Sequence, residues 1–66
     1  MIPIMIGGDL HEAAKFVAIP RVGEYIEWGR DRAYCVKSVH YQPEYEGAMV
    51  IVEFTPPNVY AMIRGE

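Results

Sequence analysis

Residues 24–41 run EYIEWGRDRAYCVKSVHY. Apolar and polar side chains alternate on both sides of a Gly-Arg-Asp-Arg break, the pattern of two strands joined by a tight turn. In the first strand Ile26 and Trp28 share one face, and Tyr25 and Glu27 the other. In the second, over 33–41, the inward positions are Tyr34, Val36 and Val39. The step from Val36 to Val39 breaks a period of two, and a bulge at Lys37 and Ser38 restores it. A bent hairpin of this kind is a building block of small, strongly curved β-sheets.

Downstream, 42–47 (QPEYEG) reads as a loop carrying two acids and Tyr45. Residues 48–54 form the strongest strand of the chain, with Val50, Val52 and Phe54 on one face and Met49 and Ile51 on the other. Pro56-Pro57-Asn58 ends it. For 59–63, Asn58 as a cap and Gly65 as a stop allow one or two helical turns. The β-branched ends and the need for a closing strand favour a strand there instead.

Upstream, Ile2, Ile4 and Ile6 alternate, and Met1 and Met5 occupy the other phase, so this strand is apolar on both faces. Pro3 lacks an N–H for a ladder, which places the strand at an edge or a bulge. Gly7-Gly8-Asp9 reads as a turn. The segment after it has two readings. Asp9 with Glu12, and Leu10, Ala14 and Val17 on one helical face, fit a helix; the run from Lys15 to Ile19 and the bias of Pro20 against helix fit a strand. The strand reading, over 14–19 and returning as a hairpin on the first strand, is the one preferred. Five short strands with tight turns predict an all-β fold, a small five- or six-stranded SH3-like barrel whose closure removes exposed sheet edges.

Sixty-six residues make one domain, 1–66, with little room for a second core. The one cysteine, Cys35, excludes an internal disulfide and fits a reducing, cytoplasmic compartment. With 52% hydrophobic and 23% charged residues the chain is not of disordered composition. The apolar run 1–6 is too short for a transmembrane span and has no basic residues before it, so neither a signal peptide nor a membrane anchor is expected. A net charge of −3, with the basic residues scattered, argues against duplex nucleic acid as a partner.

The segment IPRVGEYI at 19–26, followed by Tyr34, Val36 and Val39 in a Y-x-V-x-x-V pattern and then by the apolar strand 49–54, resembles a group of small bacterial and phage-borne SH3-like barrel proteins. The resemblance covers about residues 17–54. It implies barrel geometry; read from the residues themselves, Pro20 fixes the entry of the chain and Gly23 supplies a conformation that a side chain would hinder. It implies no catalytic residues, because many members have no known activity.

Candidate chemistry is sparse. His11, His40 and Cys35 lack the paired spacing of a zinc site, so no metal is expected. Cys35 and His40 are an odd number apart, which sets them on opposite faces of an unbroken strand, although a bulge changes that. No orienting acid or oxyanion signature accompanies them. Glu44 and Glu46 flank Tyr45 in a solvated loop, and no phosphate-binding or dinucleotide fingerprint exists, so neither an enzyme nor a cofactor is expected.

The stronger signal is the second apolar face of 48–54, since one small barrel buries one face of a strand and the other needs a second layer. The expected function is a non-enzymatic protein-binding or assembly module that self-associates as a homo-oligomer. Its partner surface would comprise Met49 and Ile51 with Tyr25, Tyr41 and Tyr45. A different reading rests on the acidity: an inhibitor borne by a phage or mobile element that binds a host nucleic-acid-binding protein. A lesser one, single-stranded nucleic-acid binding, rests on Tyr25, Trp28, Tyr34, Tyr41 and Tyr45 with Arg30, Arg32 and Lys37.

Overall fold

In the computed structural model, residues 1–29, 32–44 and 47–65 are described. Five strands come first, β1 (Ile2–Gly8), β2 (Glu12–Phe16), β3 (Tyr25–Trp28), β4 (Arg32–Gln42) and β5 (Gly47–Thr55), followed by one helix, α1 (Pro57–Arg64). They form one sheet in the order β2-β1-β5-β4-β3 that curls into a half-barrel, so the small all-β, barrel-like fold is as expected. Strands β2 and β3 form its two edges.

The hairpin of β3 and β4 has the predicted faces: Ile26 lies opposite Tyr34, and Glu27 opposite Ala33. The register of β4 on β5 shifts between Val36 and Ser38, where the bulge was expected. Beyond it Val39 faces Val50, so Val36 and Val39 both reach the inner face. Strand β1 pairs antiparallel with β2, with Ile4 opposite Ala14, which bears out the hairpin reading; the strand occupies 12–16 rather than 14–19.

Two expectations are corrected. First, β1 is an interior strand. It lies parallel to β5, with Ile4 beside Ala48 and Ile6 beside Val50. Pro3 is tolerated because the ladder to β5 begins one residue later, at Ile4. At that end the two strands approach so closely that a Cβ on Gly47 would collide with the Pro3 carbonyl oxygen. Second, 59–63 is helical. Pro57 sits in the first turn, where its fixed φ is already helical and its missing N–H is no loss. Gly65 closes the helix at φ 80°, its N–H bonded to carbonyls of the last turn. Those two ends outweigh the strand preference of Val59 and Ile63.

The inner face carries the core: Ile4, Ile6, Ile26, Tyr34, Val36, Ala48, Val50 and Val52, with Leu10 from the turn after β1. Segment 17–24 links the two edge strands, and its Ile19 packs on this cluster. Its end is tied to β4 by Gly23 N–H to the Val36 carbonyl at 2.9 Å and Val36 N–H to the Glu24 carbonyl at 2.8 Å. Each fully buried aliphatic side chain contributes about 1.5–3 kcal/mol. Phe54 continues the inner row but is 40% exposed at its end, edge-on to Tyr34 at 5.7 Å between ring centroids.

Candidate functional site

The outer face of the sheet divides into two halves. Residues opposite one another on neighbouring strands share a face. The register therefore gathers Tyr25, Glu27, Ala33 and Thr55 at the β3–β4 end, and Met5, Gly7, Ala13, Met49 and Ile51 at the β2–β1–β5 end. Helix α1 lies over the first group. Tyr60 sets its ring 5.5 Å from Tyr25 and donates its hydroxyl to Glu27 Oε1 at 2.7 Å. Arg64 reaches the same carboxylate oxygen at 2.9 Å and stacks over the Tyr60 ring. Ala33 and Thr55, on the same face, are 3% and 7% exposed.

No element covers the second group among the described residues. A groove of about 600 Å³ runs over it, lined by Pro3, Met5, Ala13, Lys15, Gln42 and Met49. It continues into a second hollow of about 530 Å³ towards Gly7, His11 and Ile51. Gly7 keeps the floor level: Ile51 Cδ1 would lie 3.2 Å from any Cβ there. Between the halves, Glu53 pairs with Lys37 at 3.7 Å, an exposed contact of little energetic weight.

Of the five expected partner-binding residues, the structure brings two together. Met49 and Ile51 stand side by side in the bare half, partly exposed. Tyr25 shares their face but is engaged by Tyr60 at the far end, so it is not part of the same surface. Tyr41 lies opposite Ala48 and so belongs to the inner side, where it is exposed beyond the packed cluster. Tyr45 lies outside the described residues, as do Glu46 and Arg30. The sequence reading left Met5 and Ala13 out of this surface. Met5 carried a signal, its position in the second apolar phase of β1; Ala13 carried none until its register was known.

The bulge does put Cys35 and His40 on one face, opposite Glu53 and Met49. Four positions along β5 separate them by about 13 Å, too far for a proton relay. His40 Nε2 instead lies 3.0 Å from Ser38 Oγ, and among the described residues no acid is bonded to this exposed pair. Cys35 Sγ donates to the Val36 carbonyl at 3.8 Å. Among the described residues no group of three or more His, Cys, Asp or Glu side chains is placed to hold a metal. The aromatic residues are dispersed as well: Tyr34 and Trp28 pack with the inner cluster, whereas Tyr25 is on the outer face. No helix among the described residues is long and apolar enough to cross a membrane. Compared with known proteins, the chain matches no family model, no curated protein and no solved structure.

Proposed function

We propose that the protein is a non-enzymatic assembly module of the cytoplasm that associates with itself through the bare half of its outer face. The observation that carries this reading is the continuous apolar floor of Met5, Ala13, Met49 and Ile51, left open beside a half that the helix covers. The exposed area supports it. A monomer of 7.5 kDa exposes about 4,250 Å², and this chain exposes 4811 Å². The single free thiol suits a reducing compartment. The same reading keeps the chain with the small SH3-like barrel proteins that its hairpin resembles, and the bulge after Val36 supports that placement.

Sedimentation at tens of micromolar tests the proposal. A species of twice 7.5 kDa, with a melting temperature that rises with protein concentration, is the expected result. Ile51→Glu should abolish both, because association would bury an unpaired carboxylate. A clean monomer with a concentration-independent melt would overturn the reading.

A further inference from the structure

The helix presents its apolar side to solvent. Tyr60 and Arg64, one turn apart, face the sheet and are held there by Glu27. Val59, Met62 and Ile63 fall at the i, i+3 and i+4 positions of one stripe. They are 41%, 77% and 49% exposed, and no residue of α1 is buried. An amphipathic helix resting on a core normally does the reverse. Here a polar and aromatic side anchors it and an apolar ridge is held up and away from its own sheet.

The same outer face therefore carries a raised apolar ridge and a sunken apolar groove, with the exposed Lys37–Glu53 pair between them. A helix with its side chains is about 10–12 Å across, so the outer face is a step of roughly that height. A flat partner resting on the ridge leaves the groove empty, and one filling the groove collides with the helix. The shape that fills both is the same step turned through 180°.

We infer that two copies pair step to step about a two-fold axis, each seating Val59, Met62 and Ile63 of α1 in the other's groove over Met5, Ala13 and Met49. This rests on the self-association proposed above and adds the identity and geometry of the contact. The partner surface is this chain's own helix. Val59, Met62 and Ile63 on the ridge and Met5, Ala13 and Met49 on the groove floor are all uncharged, Lys15 at the groove wall is exposed, and the two-fold closes the assembly at two copies. A standard interface takes about 800 Å² from each partner, a sixth of the 4811 Å² exposed here. The roughly 560 Å² exposed beyond the norm for this size is most of that amount.

The test uses two variants at exposed positions, Met62→Glu on the ridge and Met5→Lys on the groove, in sedimentation equilibrium with circular dichroism to check the fold. Each alone should weaken the dimer by roughly 100-fold or more, since every contact it makes with itself buries a lone charge. Mixed one to one, they should re-form it, because one contact then joins opposite charges and the other is wild type. A wild type that dimerises while folded Met62→Glu dimerises equally well would overturn the helix-in-groove pairing and leave self-association standing. So would two monomeric variants whose mixture stays monomeric. A monomeric wild type would overturn both.

Discussion

The two halves of the outer face are built on the same strands and end differently. At the β3–β4 end, an exposed glutamate and a tyrosine hold a short helix down, and the residues beneath are sealed from water. At the β2–β1–β5 end the floor is more apolar, yet nothing from the chain lies over it among the described residues. In a chain of this length one short helix covers one half of a five-stranded sheet. The path of the chain sets which half that is: β5 ends at Thr55, in the covered half, and only Pro56 separates it from α1. There Glu27 offers two of the helix's side chains a partner.

The largest effect should come from Gly47→Ala, at the floor of the bare half. Its new methyl would collide with the Pro3 carbonyl, a backbone atom that cannot swing aside. We expect a loss of about 3 kcal/mol or more, enough to unfold much of the protein at 37 °C in a thermal melt; a wild-type melt would show that β1 is not seated there. Next comes a contrast between neighbours. Val50 is 0% exposed on the inner face, and Val50→Ala should cost about 1–3 kcal/mol at any protein concentration. Ile51, on the outer face, should behave otherwise. Ile51→Ser should lower the melting temperature more at high than at low concentration, and parallel losses at both would mean that this half serves the monomer alone.

Smaller again is Glu27→Ala, which removes the anchor of the covered half. Both of its contacts are solvent-exposed, so about 1 kcal/mol or less is expected. Hydrogen exchange should nonetheless quicken through 57–64 with little change in β4. Helix amides as protected as in the wild type would mean that the Tyr25–Tyr60 ring contact holds the helix without Glu27. The smallest effect is Lys37→Ala, between the halves. Its pair with Glu53 is long and more than half exposed, and a change within about 0.5 kcal/mol is expected in denaturant titration.

Much of the sheet was legible before any coordinates. The 24–41 hairpin, its faces and its bulge follow from a period of two and one interruption of it, because pleat sterics act between residues close in sequence. The tail 59–63 reads as a strand because Val59 and Ile63 carry strand preference; Gly65 is visible as a stop, but the helix starts at Pro56 and Pro57 rather than on an Asn58 cap. The interior place of β1 was not legible at all. Its neighbour β5 is more than forty residues away, and no local pattern names it. Half of the candidate surface was visible in the alternation of Met49 and Ile51. The other half needed that register, which alone sets Met5 beside Met49.

The same parallel ladder governs the order in which the molecule can assemble. Strands β1 and β2, and then β3, β4 and β5, join through connections between neighbours in sequence, and such hairpins form in about 1–10 μs. The seam between β1 and β5 instead closes a loop of most of the chain, whose entropy must be lost before its contacts reward it. The seam is thus the pairing with the largest closure cost in the sheet, and the one on which its single continuous ladder depends. Without it, both flanks of that seam would be open strand edges.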